Sequence, residues 1–101
     1  MPIGKTNVDF GGYIRVKITE GKGRWKLQHV IVMEEMLGRP LNSGEIVHHI
    51  NGDRKDNRPE NLFLCQSPKH HNAVHRTQDD ALRRCLELGI VVFKGGRYEL
   101  A

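Results

Sequence analysis

The sequence has 101 residues, of which 38% are hydrophobic and 28% are charged, with a formal net charge of +4. This length allows one small domain, the mixed charges argue against a disordered chain, and no apolar run reaches the ~20 residues that span a bilayer. Because no basic-then-apolar leader stands at the start, we expect a soluble protein of the cytoplasm. The positive charge permits an anionic partner such as nucleic acid, although charge alone is weak evidence.

A flexible start and a β-hairpin are predicted first. Residues 1–9 are expected to be flexible, whereas residues 13–18 and 24–27 alternate apolar with basic side chains, which is the period of half-buried strands. Residues 20–23 would form the turn between these strands. The hairpin would bury its apolar side and present one basic face, formed by Arg15, Lys17, Arg24 and Lys26. That face is either an ordinary solvated surface or, beside a site that binds nucleic acid, a platform for phosphates.

A helix and two short strands are predicted in the middle of the chain. Apolar residues at helical spacing predict a helix over residues 29–37, and Gly38 directly after it is typical of a helix end. Residues 45–50 and 62–64 are predicted to be short strands that pair with each other. The segment between them, residues 51–60, is dense in Asn, Gly, Asp and Pro, which favours a long turn.

Helices and a hairpin are predicted at the C-terminal end. Ser67-Pro68 indicates a helix start, because serine caps helices and proline is favoured at the first helical position. Thr77 and Asp80 resemble a second capping box, so a separate helix is predicted over residues 78–88. Gly95-Gly96 between short apolar runs predicts a closing hairpin. The predicted fold class is α+β.

Five of the six histidines lie between residues 48 and 75, and this clustering is the most informative feature of the sequence. Neighbouring residues of a strand point to opposite faces, so His48 and His49 are expected to do different jobs. His71 and His75 are one helical turn apart on one face, which is a common metal-binding spacing. One strand histidine could then complete a metal site while the other acts as a general base, because neutral imidazole suits that role.

A calcium loop and a closed zinc site are the two alternative metal sites that these residues could form. A calcium loop over residues 51–57 fails because Lys55 places a cation there and the glycine and closing glutamate are not at the required offsets. Cys65 could form a closed zinc site with His71 and His75, although this would leave His49 without a purpose. Cys65 and Cys85 belong to no CxxC pair and are expected to be reduced thiols.

Three segments resemble the motif of HNH endonucleases: VHHINGD at residues 47–53, DNRPENL at residues 56–62, and His71-x-x-x-His75. The resemblance extends over about residues 11–76 and is greatest to the short HNH proteins of bacteriophages. It implies a ββα-metal motif, in which two strands and a helix hold one divalent ion. We therefore expect one HNH nuclease domain over residues 1–101, with a ββα-metal core at about 45–76, an N-terminal hairpin and helix at about 11–38, and a C-terminal helix and hairpin at about 78–100.

The resemblance also implies roles for individual residues. His48, His71 and His75 would bind the ion, His49 would be the general base that activates water, and Asn61 would brace the loop that orients His49. The ion is Zn, Mg, Mn or Ni, with imidazole favouring the transition ions over magnesium. The remaining candidates are basic residues that would contact DNA phosphates: Arg15, Lys17, Arg24, Lys26, Arg54, Lys55 and Arg58.

The implied activity is hydrolysis of DNA phosphodiester bonds, by nicking or by double-strand cleavage, leaving a 5′-phosphate and a 3′-hydroxyl. The alternative is a non-catalytic DNA-binding or packaging accessory module in which the metal only supports the fold. DNA is the expected partner in either case, together with a candidate phage or host protein and no membrane. A phage-encoded protein would act in the cytoplasm of the host cell.

Overall fold

The structure is a computed structural model that describes residues 4–19 and 24–101. The chain forms two compact units, the N-terminal unit Met1–Ser67 and the C-terminal unit Pro68–Ala101. The α+β class is confirmed, since the structure combines antiparallel strand pairs with α-helices. The elements are β1 Thr6–Val8, β2 Ile14–Lys17, β3 Trp25–Leu27, α1 Gln28–Leu37, β4 Ile46–His49, β5 Leu62–Cys65, α2 Pro68–Glu87, β6 Val91–Lys94 and β7 Arg97–Leu100.

The first sheet of the N-terminal unit has three antiparallel strands in the order β1-β2-β3. The expectation of a flexible start is wrong for residues 6–8, because β1 pairs along β2 with Val8 opposite Ile14. The turn between these strands is held by Asp9, whose carboxylate accepts hydrogen bonds from the backbone N–H groups of Gly11 and Tyr13 at 2.9 and 3.0 Å. Aspartate is common in turns because its side chain can hydrogen-bond to the backbone two residues further on. The predicted turn at residues 20–23 lies outside the described residues.

The register of β2 and β3 shows that the prediction of one basic face is wrong. Lys17 lies opposite Trp25, whereas Lys26 lies opposite Val16. Because opposite residues share a face of the sheet, Lys26 lies on the other face from Lys17 and Arg15. Lys17 is also only 3% exposed. The indole of Trp25 accounts for part of this arrangement, since the Arg15 guanidinium and the Lys17 ammonium lie 4.9 and 5.3 Å from its ring centre and cations are attracted to aromatic faces.

The second part of the N-terminal unit consists of α1 and the β4-β5 hairpin. Gly38 ends α1 as expected: its φ is 70°, in the left-handed region, and its N–H donates to the carbonyl of Glu34 at 2.9 Å. Strands β4 and β5 pair antiparallel, which confirms the predicted pair of strands. A small apolar core of Met33, Val47 and Leu62 joins α1 to both strands. Val47 and His49 share one face of β4, and His49 is thereby held against α1, where its ring meets that of His29.

The C-terminal unit consists of α2 followed by the β6-β7 hairpin. The prediction of two helices is wrong, because α2 runs unbroken over its 20 residues. No glycine or proline lies within residues 69–87. The Thr77 hydroxyl donates to the carbonyl of Val74 at 2.6 Å inside the helix rather than capping a new one. The closing hairpin is confirmed, with positive φ at Gly95 and Gly96, as a tight two-residue turn requires. Neither α1 nor α2 combines the length and hydrophobicity needed to cross a membrane.

Candidate active site

The two histidines of β4 are both buried inside the N-terminal unit, His48 to 7% exposure and His49 to 8%. Burying a polar ring is costly unless it finds a hydrogen-bonding partner. For His49 that partner is a side chain of the loop between β4 and β5: its Nε2 lies 2.7 Å from Oδ1 of Asn57. The ring of His49 therefore has a defined orientation within this unit.

A second buried histidine, His29 of α1, stands against His49. The two rings meet edge to face with centres 4.9 Å apart, and the ring of Tyr13 lies 5.2 Å from that of His29. Burial, with a smaller contribution from His49, lowers the pKa of His29 to about 4. Its Nδ1 has no hydrogen-bond partner within the described part of the chain. His29 is therefore neutral at physiological pH and places no positive charge beside His49.

Asn61, the middle residue of the motif, ties the loop between β4 and β5 at two points. Its Oδ1 accepts from the backbone N–H of Asn51 at 3.0 Å, and its Nδ2 donates to the Asn51 side chain and to the carbonyl of Asp56, at 2.9 and 2.8 Å. The side chain is 5% exposed. Because all its hydrogen-bonding groups are used inside the protein, Asn61 fixes the shape of this loop.

In the C-terminal unit, His71 and His75 lie one turn apart on α2 with their Nε2 atoms 3.0 Å apart. Two nitrogens bound to one ion at 2.0–2.1 Å would be separated by about 2.9–3.4 Å, so the pair fits a shared cation. Burial and the neighbouring His75 lower the pKa of His71, which favours the neutral form that a metal needs. The Nδ1 of His75 lies 3.3 Å from Oε1 of Gln78, as an outer partner of a metal-binding histidine would.

The sequence around these residues was compared with known protein families. Residues 26–74 match the family model described as HNH endonuclease. Over this segment, just under half of the chain, the sequence is similar to the HNH endonuclease family. No curated protein and no solved structure matches the chain. The family recognised in the sequence is thus confirmed, and the HNH segment includes His48, His49, Asn61 and His71, while His75 is the first residue beyond its end.

Three of the predicted phosphate contacts lie in the loop between β4 and β5, and two of them, Arg54 and Arg58, are held by other groups. Arg58 pairs with Asp56 through two hydrogen bonds of 2.8 Å, and this guanidinium holds the pKa of the Asp56 carboxyl well below its usual range. Arg54 donates to the carbonyl of Gly11 at 2.5 Å and stacks over Tyr13 at 5.0 Å. Arg54 therefore joins the loop to the first sheet.

The basic residues of the first sheet are engaged to different degrees. Arg15 donates to Oδ1 of Asn7 at 2.8 Å, and Lys26 forms an ion pair with Glu34 of α1. Lys17 is buried, as described above. Two further predicted phosphate contacts, Arg24 in this sheet and Lys55 in the HNH segment, are exposed.

Sequence reasoning missed His29 and Asn57. His29 is the one histidine outside the cluster between residues 48 and 75, and nothing in its spacing links it to His49. Asn57 was part of the motif that carried the resemblance but received no role, because a loop dense in polar residues does not reveal which of them faces a particular histidine. The contacts of both residues depend on α1 packing beside the β4-β5 hairpin.

Proposed function

We propose that the protein is a metal-dependent endonuclease that hydrolyses phosphodiester bonds of DNA. The observation that carries the proposal is the similarity of residues 26–74 to the HNH endonuclease family. It is supported by the buried, oriented His49 within that segment. A nuclease of this kind needs an activated water and stabilisation of the charge that develops on the phosphate.

His49 is proposed as the general base. It would remove a proton from the water molecule that attacks phosphorus, since a neutral imidazole has a reference pKa of about 6.5 and accepts protons near neutral pH. The resulting oxygen attacks in line, the bond to the 3′ oxygen breaks, and that oxygen takes a proton from solvent. The products would be a 5′-phosphate and a 3′-hydroxyl. Asn61 serves this step by fixing the loop that faces His49.

His48, His71 and His75 are proposed as the ligands of one divalent cation. The geometry that supports this proposal lies within the C-terminal unit, where the Nε2 atoms of His71 and His75 are 3.0 Å apart. When bound, the cation would act as a Lewis acid that stabilises charge on the phosphate. A set of three imidazole nitrogens suits zinc or nickel better than magnesium or manganese, which prefer oxygen ligands.

DNA is proposed to be held through its phosphates. Arg24 and Lys55 are the first candidates because both side chains are exposed. Arg15, Lys26, Arg54 and Arg58 would each have to share or exchange a partner within the protein, and Lys17 is buried. Phosphate contacts of this kind position a duplex without reading its sequence.

The test is to incubate the purified protein with supercoiled plasmid in the presence of Mg²⁺, Mn²⁺, Ni²⁺ or Zn²⁺. Nicked or linear product should appear with at least one of the transition ions and disappear when a chelator is added. The matched control is His49→Ala, purified in the same way, which excludes a contaminating nuclease. A protein that binds the plasmid but cleaves it with none of the four ions would instead be a non-catalytic DNA-binding module.

A further inference from the structure

The hydrogen bond between Asn57 and His49 has a consequence for the proposed reaction. Resting on the proposed function, we infer that Asn57 is a positioning residue that holds His49 in the tautomer with its proton on Nε2. The lone pair of the neutral ring then lies on Nδ1, and this nitrogen is the one that takes the proton from water. Asn57 itself would touch neither DNA nor water at the reacting phosphorus.

The direction of each hydrogen bond follows from the chemistry of the groups. The Nδ2 of Asn57 donates to Oε1 of Gln28 at 2.8 Å, which turns Oδ1 of Asn57 towards His49. An amide oxygen can only accept a hydrogen bond, so Nε2 of His49 must carry the proton. The opposite tautomer would place two lone pairs against each other at 2.7 Å in a buried site, where an unsatisfied polar group is most costly.

Asn57 is itself fixed from two directions. Gln28 is the first residue of α1, and the helix is anchored in the apolar core through Met33. On the other side, the carbonyl of Asp56, the residue before Asn57, accepts from the side chain of Asn61 at 2.8 Å. Asn61 therefore acts on His49 through the backbone of residue 56 and the amide of Asn57, rather than by direct contact.

The direct test is the tautomer of His49 in the full-length protein loaded with Zn²⁺. Long-range proton–nitrogen NMR spectra, recorded at about pH 8 where free imidazole is neutral, distinguish a protonated from an unprotonated ring nitrogen. The His49 signals are assigned by their loss in His49→Gln. We expect a protonated Nε2 and an unprotonated Nδ1. A ring protonated on Nδ1 would overturn the inference.

Substitutions of Asn57 supply the second test. Asn57→Leu removes the acceptor and should give a mixture of tautomers, with kcat for plasmid cleavage lowered about 10- to 100-fold and KM nearly unchanged. Asn57→Asp keeps an oxygen facing Nε2 and should retain the wild-type tautomer and most of the rate. A structural role alone would not separate these two variants in this way. Asn42→Leu, at an exposed loop position outside the network, is the matched control and should behave as the wild type.

Substitutions of Gln28 test the same inference without changing Asn57. Gln28→Leu removes the acceptor that orients the Asn57 amide and should also mix the tautomers, whereas Gln28→Glu keeps the acceptor and should not. Unchanged tautomer and kcat in folded Asn57→Leu and Gln28→Leu would overturn the inference. If the wild type cleaves no DNA, the proposed function fails, but the NMR measurement still decides which nitrogen of His49 carries the proton.

Discussion

The two units of the protein place their histidines in opposite surroundings. In the N-terminal unit, His29, His48 and His49 are buried, as is Asn61. In the C-terminal unit, no side chain of residues 68–101 is buried, and the His71–His75 pair lies on α2. The pair is brought together by the period of one helix, whereas His49 meets Asn57 of the following loop and His29 of α1. On the proposed function, the N-terminal unit would supply the oriented general base and one metal ligand, and the C-terminal unit would supply the other two ligands.

The largest effect is expected from His49→Ala. If the N-terminal unit supplies the general base, cleavage should fall by about 10²- to 10⁴-fold, while metal content and DNA binding stay close to wild type. Plasmid cleavage, metal analysis and a binding titration of the same preparation check this result. Loss of metal in His49→Ala would show that the roles of His48 and His49 are exchanged.

A pH-dependent stability is expected from His29. Its pKa in the folded protein is about 4, below the reference of 6.5, so the unfolded chain takes up this proton first as the pH falls. The stabilisation is complete above about pH 6.5 and is lost towards pH 4, by about 3 kcal/mol in total.

Urea denaturation of the wild type and of His29→Phe over this range measures the effect as a difference. The Glu45 carboxyl, whose pKa Arg39 lowers to about 2, titrates alike in both proteins and cancels. Equal pH slopes for the two proteins would contradict a buried neutral His29.

The metal should stabilise the protein only when the histidine pair on α2 is intact. Zn²⁺ at 100 times its Kd would add about 2.7 kcal/mol to the free energy of unfolding of the wild type. His71→Ala should lose this increment, yet melt close to the wild type without metal, because His71 is only half-buried and alanine is the best helix former. Thermal melts with Zn²⁺ and with chelator test this, and His70→Ala on the same helix should keep the full increment.

Asn61→Ala should destabilise the metal-free protein by about 2 kcal/mol, because it leaves the N–H of Asn51 and the carbonyl of Asp56 without their partner. The matched variant in the C-terminal unit is Asn72→Ala, at an exposed position of α2, where a surface change should stay within about 0.5 kcal/mol. Chemical denaturation of both variants compares them. An equal loss of unfolding free energy in the two variants would contradict the contrast between a buried Asn61 and an exposed Asn72.

The smallest effect concerns DNA affinity. Replacing Arg24 and Lys55 together by alanine should reduce the slope of log affinity against log salt by about two units if both contact phosphates. Replacing Arg83 and Arg84 of α2 should leave the slope unchanged, since these arginines pair with Asp80 and Glu87. Titrations at several salt concentrations on two unrelated duplexes measure both. A larger change of the salt slope in the α2 variant would indicate that the DNA phosphates contact the C-terminal unit instead.

Features set by neighbours in sequence were predicted correctly. The end of α1 at Gly38, the turn at Gly95-Gly96 and the spacing of His71 and His75 each depend on a few adjacent residues and their backbone preferences. The pairing of β4 with β5 follows from two short apolar strands joined by one polar turn. The HNH family was likewise recognisable from residues 47–75, because its motif lies in one continuous stretch.

Tertiary structure decided the features that join distant residues. The register of β2 on β3, which buries Lys17, depends on the packing of Trp25 and could not be read from alternation, since alternation alone does not say which residues face each other. The hydrogen bond from Asn57 to Gln28 spans 29 positions. The sequence alone determined which residue types are present at the candidate site. The packing of α1 beside the β4-β5 hairpin decided that His29 and Asn57 surround His49. Contacts between distant residues of this kind form only when whole elements pack together.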